Sequence, residues 1–419
     1  IFGESNLSYE NRLIKEKIDS QLSLIKEGKI GVIFIDIYDN ERIIYQKNAY
    51  DLFIPASSLK LLTTYAALSN LSPFYFFELK IYTNGYIDNG NLYGDLIINS
   101  DFNPTLIEEI MGDPYDFLYN SIKSTLQNYN IKFIKGKVLI DYSIHKIKNV
   151  SIFPKSWEIY KGEPYAPFVT SFSFNQNMIK ITKNGQGYQI FPNLSINPVF
   201  LVNKSSFVDG AYWYIYDNPF EYNKLVVQKI FKDLNIQVEV DYLYSNELIN
   251  KDLNGNIKIL DIYLTEVLVN ALKYQNYWSD NFVAQSIYYL LKYKYDIDLQ
   301  DYYRSLGFNV IIDDGCGLSR KNRISPYVFA KILSTSVRNG LYSYISYTLP
   351  GYLEGTLSNR KTLPKTVRAK TGTLSDVSAL TGYIKTNSNK YLSFAILYNG
   401  PYNAKIIEDQ ILNIIYNNY

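Results

Sequence analysis

A change of texture partway along the chain decides how it can fold. Residues 8–25 carry apolar side chains at helical spacing, and "IGVIFIDIY" and "RIIYQKNAY" read as strands joined by the turn-like "DNE". After Pro55, "SSLKLLTTYAALSNL" reads as a largely apolar, buried helix that begins near Ser57. From about residue 75 to 262 the pattern turns β-rich, punctuated by "TNGYIDNGN" and "SDFNP", with helices expected near 114–128 and 219–234. Helical periodicity returns over 264–306, broken at "YQNYWSDN", and again near "SPYVFAKIL". Strands at 366–371, 376–386 and 391–398 and a helix at 403–417 follow. The two ends therefore supply the halves of one α/β (α+β) domain, split by a long, mostly β insertion. A chain of 419 residues suits more than one core.

Composition removes several kinds of chemistry. Cys316 is the sole cysteine and His145 the sole histidine, so an internal disulfide, a Cys-based zinc site and a His-rich metal site are excluded. A Ser-His-Asp triad would have to use His145, whose setting "DYSIHKIKN" reads as a solvated strand end. A nucleophilic serine here would need a different base. The net charge of +2 is spread along the chain with no basic block, so no nucleic-acid partner is expected. No run of 18 apolar residues suggests a transmembrane helix. The first residue is Ile1, which fits a removed signal peptide.

Three short motifs carry the chemistry that remains. In "PASSLK", Ser57 and Lys60 stand three residues apart and project from one face of a helix. A serine hydroxyl becomes a nucleophile when a base removes its proton; a neutral lysine amine can do so where burial or a second cation depresses its pKa. "SDN" sets Ser279 and Asn281 at a helix break, Ser279 to relay a proton and Asn281 to hold a substrate amide, with Asp280 pointing away. "AKTGT" ends a strand with Lys370, Thr371, Gly372 and Thr373, a cation and two hydroxyls suited to a carboxylate beside a glycine that permits close backbone approach. Each motif alone has an ordinary reading: a capping serine with a solvated lysine, a helix N-cap, a strand end before a turn. In this order, on these elements, they form the joint signature of serine penicillin-recognising enzymes.

The long insertion between Ser57 and Ser279 points within that group. The sequence resembles the low-molecular-mass class C penicillin-binding proteins, the D-alanyl-D-alanine carboxypeptidase/endopeptidases of the penicillin-binding protein 4 type. "PASSLKLLTTYAAL", "YGDLIINSDFNPTL", "PYAPFVTSFSFNQN", "DDGCGLSRKNRISP", "GYLEGTLSNR" and "VRAKTGTLSDVSALTGYI" carry the likeness from about residue 30 to the C-terminus. Cys316 stands where the family usually has serine, and reads as a small buried residue. The resemblance implies a transpeptidase-like domain (1–68 and 260–419), a β-rich insert domain (69–93 and 168–259) and a second nested domain (94–167). It implies a serine D-Ala-D-Ala carboxypeptidase, with or without endopeptidase activity, acylated at Ser57, with Lys60 as base, Ser279 and Lys370 as proton relay and Asn281 holding the peptide. Thr371, Gly372 and Thr373 would bind the terminal carboxylate, and Asp141 a side-chain ammonium of the stem peptide; a surface strand-end aspartate is the other reading of Asp141. Peptidoglycan peptides and β-lactams are the expected partners, the extracytoplasmic cell envelope the expected location, and no cofactor or metal is called for. A β-lactamase and a catalytically silent peptidoglycan-binding homologue are the competing readings.

Overall fold

The structure, a computed structural model, describes residues 9–185, 187–194, 209–245 and 257–419. The chain divides into two compact units: residues 1–75, 268–292 and 296–419, and residues 76–267 with 293–295.

The first unit is built on a five-stranded antiparallel sheet in the order Arg368–Leu374, Val377–Lys385, Tyr391–Asn399, Lys29–Asp36, Arg42–Lys47. Strands from the two ends of the chain pair at its centre, Ile30 opposite Tyr398 and Phe34 opposite Phe394. The central strands are near-continuous apolar runs because both faces are covered. Helices Tyr9–Leu22 and Lys405–Asn418 bring Ile14, Ile18, Ile411 and Ile415 into one core with Val32, Phe34 and Ile396. Helix Pro326–Arg338 packs on the sheet as well, its Ala330 carbonyl accepting from the buried Ser393 hydroxyl at 2.8 Å. Helix Lys60–Leu71 is buried from Lys60 through Leu68, in keeping with its largely apolar sequence, with Lys60, Thr63 and Thr64 the polar exceptions.

The second unit has a five-stranded mixed sheet in the order Val240–Leu243, Val138–Asp141, Leu96–Asn99, Phe76–Thr83, Lys258–Val267. Its parallel pairs, Leu96–Asn99 with Val138–Asp141 and Val138–Asp141 with Val240–Leu243, are bridged in sequence by helices Pro114–Asn128 and Pro219–Asp233. Leu79, Ile98, Leu118, Ile140, Phe172 and Val226 share one continuous core.

Two expectations are corrected. Residues 264–267 end the strand Lys258–Val267, paired against Phe76–Thr83, and the helix starts only at Leu268; cross-strand pairing overrides the local helical pattern. His145 is not a solvated strand-end residue but lies in helix Ser143–Ile147, 1% exposed. Its Nε2 accepts from the Ser171 N–H at 2.9 Å, so its proton resides on Nδ1, 3.1 Å from the Val150 carbonyl. Burial pushes its pKa down to about 4, so it stays neutral and saturated.

Candidate active site

The segment that carries Ser57 is fixed before that residue is reached. Asn399, at the end of its strand, accepts from the Ile54 N–H at 2.8 Å and donates to the Ile54 carbonyl at 3.0 Å. Ala56 then takes a left-handed φ of 47°, unusual for a residue with a Cβ and a form of strain concentrated at functional sites. A 3₁₀ turn, Ala56–Leu59, follows and leads into helix Lys60–Leu71. Leu59 occupies that helix's N-cap position and no side chain caps it, so Ser57 is not there for capping.

Lys60 is fully buried yet meets no carboxylate at ion-pair distance among the described residues. Its Nζ lies 2.9 Å from Ser57 Oγ, 2.6 Å from Asn281 Oδ1 and 2.9 Å from the Cys316 carbonyl. Burial holds its pKa below the ordinary lysine value, against the pull of Asp314 and Asp280. A neutral amine has two N–H donors and one lone pair; Asn281 Oδ1 and the Cys316 carbonyl accept hydrogen bonds only, so they take the two donors. The lone pair is left for the Ser57 hydroxyl.

The SDN segment divides its labour. Asp280 caps helix Asn281–Tyr289 by accepting from the Val283 N–H at 2.8 Å, the ordinary reading of this motif. Capping starts the helix at Asn281, which aims its amide at Lys60. Ser279 sits just outside with φ 59°, and its Oγ accepts from Lys370 Nζ at 2.9 Å. Lys370 is also fully buried and also donates to the Thr371 carbonyl at 2.8 Å. Burial, then the neighbouring Lys60, hold its pKa well below the usual value.

Lys370 comes from Arg368–Leu374, the edge strand of the sheet, paired with a strand on one side, Lys370 opposite Thr381 and Thr373 opposite Ser378; on the other side the Ala369 N–H donates to the Pro350 carbonyl at 3.1 Å. Among the described residues no strand pairs along that other side, the position at which an extended peptide adds to a sheet. A side chain at Gly372 would sit 2.7 Å from the Pro55 carbonyl and 3.1 Å from the Ser58 nitrogen, so only glycine lets this strand close on the nucleophile turn. Gly372 therefore acts through its missing side chain. Thr371 Oγ1 donates to Thr356 Oγ1 at 3.0 Å. A cleft of about 710 Å³ is lined by Ser57, Ser279, Thr356, Thr371, Thr373 and Lys405, among others. A serine hydroxyl facing a buried amine, a second amine–hydroxyl pair and a sheet edge are the kinds of parts that an acyl-transfer centre uses.

Ser57, Lys60, Ser279, Asn281, Lys370, Thr371, Gly372 and Thr373 thus converge in the first unit. Asp141 belongs to the second, where its carboxylate accepts from Asn99 Nδ2 at 3.0 Å and the Ser143 N–H at 2.9 Å. Cys316 is fully buried and burial pushes its thiol pKa up, so it is an inert small residue whose carbonyl, not its sulfur, faces the site. That carbonyl and Thr356 are contributions sequence reasoning missed; the glycines flanking Cys316 were the available signal. Among the described residues, no group of three or more His, Cys, Asp or Glu could hold a metal, and no helix is long and apolar enough to cross a membrane.

Comparison with known proteins agrees with this geometry. The chain is similar to D-alanyl-D-alanine carboxypeptidase DacB of Haemophilus influenzae, 25% identical over 432 aligned positions that cover 91% of this chain and 88% of that one. It is also similar to penicillin-sensitive carboxypeptidase A of Dictyostelium discoideum, 25% identical over 444 positions covering 89% and 83%. The fold matches the crystal structure of penicillin binding protein 4 from Haemophilus influenzae with a TM-score of 0.76, at 22% identity, over 95% of this chain and 98% of that one. The sequence profile of the D-Ala-D-Ala carboxypeptidase 3 (S13) family matches residues 14–240 and 266–417, which takes in all three motifs. The chain belongs to the D-Ala-D-Ala carboxypeptidase 3 (S13) family.

Proposed function

We propose that this chain is a serine D-Ala-D-Ala carboxypeptidase of the bacterial cell envelope, acting outside the cytoplasm on peptidoglycan stem peptides, and that β-lactams acylate the same serine. One observation carries the reading: a buried Lys60 amine, held by Asn281 and the Cys316 carbonyl, faces Ser57 Oγ at 2.9 Å. Neutral Lys60 takes the hydroxyl proton as Ser57 Oγ attacks the carbonyl between the two D-alanines. Backbone N–H groups of Ser57 and Thr373 receive the developing oxyanion, each such donor worth about 10²–10³ in rate. The C–N bond breaks as Ser279, beside Lys370, passes a proton to the departing D-alanine amine, and the proton that Lys60 took from Ser57 replaces it, leaving Lys60 neutral again. Asn281 holds the substrate amide, Thr371 and Thr373 the terminal carboxylate, and water then hydrolyses the ester at Ser57. Asp141 would serve a side-chain ammonium of the stem peptide.

Incubation with a stem pentapeptide should release D-alanine, and fluorescent penicillin should label wild type but not Ser57→Ala. Labelling of Ser57→Ala at wild-type stoichiometry would move the nucleophile elsewhere. Binding of pentapeptide without release would mark a silent homologue, and an acyl-enzyme lasting seconds or less a β-lactamase.

A further inference from the structure

We propose that the Asp314–Gly317 turn is the template that sets nucleophile and base against each other, with Asp314 as its positioning residue; this rests on the acyl-transfer reading above. Three consecutive residues of the turn each touch a different part of the site. Gly315 accepts from Thr63 Oγ1 at 2.6 Å, one turn along the helix from Lys60, and its N–H donates to Gln285 Oε1 at 2.8 Å on the helix that begins with Asn281. The Cys316 carbonyl receives Lys60. Gly317, at φ 87°, packs on the strained Ala56: a side chain there would stand 1.8 Å from the Ala56 carbonyl. Gly315 is equally constrained, a Cβ falling 2.4 Å from that of Tyr288.

Asp314 gives the turn its shape. Fully buried, its Oδ1 accepts from the Gly317 N–H at 2.8 Å and Asn322 Nδ2 at 2.9 Å, and its Oδ2 from the Ser319 N–H at 2.6 Å. Such a carboxylate folds the backbone around itself and points the Cys316 carbonyl outward at the amine. It also places a negative charge behind Lys60. The other titratable groups whose charge acts on Lys60 are the Cys316 thiol on the same turn, Asp280 at the cap of the Asn281 helix, and Lys370 on the edge strand. Asp314 therefore acts on the base through both geometry and field.

The test is the pH dependence of the second-order rate of penicillin acylation. Asp314→Asn should lower the plateau by about 10²-fold, the cost of misplacing a reacting group. Its acid limb, where Lys60 loses its proton, should move to lower pH because the supporting anion is gone. Asn322→Ala removes a donor from the same carboxylate, strengthens its field, and should move the limb to higher pH. An Asp314→Asn profile lowered equally at every pH, with the limb unmoved, would reduce the turn to scaffolding and overturn the proposal. Should Asp314→Asn not fold, Asn322→Ala decides alone, an unmoved limb again overturning it. Absence of any acylation in the wild type would instead sink the functional reading beneath it.

Discussion

The first unit buries charge in two places and treats it in opposite ways. Beside the cleft, Arg360 meets Glu408 at 2.9 Å and also pairs with Asp409, while Ser378 and Thr362 donate to those carboxylates. Lys60 and Lys370 are as deeply buried, yet among the described residues they meet only neutral oxygens: Ser57, Asn281 and the Cys316 carbonyl for one, Ser279 and the Thr371 carbonyl for the other. Burial with a counterion keeps an ion pair charged and makes it structural. Burial without one favours the uncharged amine, which is what a base requires. Arg360 and Asp409 line the same cleft as Ser57, so the contrast lies in pairing rather than depth.

Breaking the comparison at its reactive side should have the largest effect. Lys60→Arg keeps a cation that cannot deprotonate, and penicillin acylation should fall by about 10²–10⁴-fold in stopped-flow labelling; near-wild-type rates would deny Lys60 the role of base. On the paired side, Arg360→Met strands Glu408, whose pKa burial already raises against Arg360. Urea unfolding should show about 3–5 kcal/mol lost, and a loss under 1 would mean the cluster is not a structural ion pair.

A subtler contrast concerns pH. Lys370 binds a proton unfolded but not folded between its depressed pKa and the ordinary 10.5, so its contribution to stability rises with pH across that window, by about 1.4 kcal/mol per unit. Lys370→Met should flatten that rise in the pH range just below 10.5 and stabilise the protein there by about 1 kcal/mol while abolishing turnover; an unchanged slope would mean Lys370 is charged when folded. The smallest effect is expected at Asp280→Ala, which removes a cap rather than a reacting group. It should cost about 1 kcal/mol in thermal unfolding, and a larger loss would give Asp280 a deeper part in the site.

Much of the site was legible because its chemistry depends on short spacings that a helix, a helix start or a strand end converts directly into geometry. Ser57 and Lys60 need one helical turn; Ser279 and Asn281 need the break that Asp280 caps; Gly372 needs a missing Cβ. Strands 377–385 and 391–399 and helix 114–128 were equally readable, from periodicity. His145 misled because a polar local stretch does not report that Ser171 and Val150, distant or non-adjacent in sequence, saturate its ring. Residues 264–267 misled because their partner strand lies at 76–83.

The sequence by itself determined which reactive side chains could be brought together and in what order, since residue type and local spacing are written in it. Only the tertiary structure decided their protonation and their aim. The uncharged form of Lys60 is favoured because burial withholds a counterion, and the Cys316 carbonyl, carried on a turn more than two hundred residues away, takes one of its donors. Desolvation and hydrogen-bond direction are properties of the packed interior, and no stretch of sequence contains them.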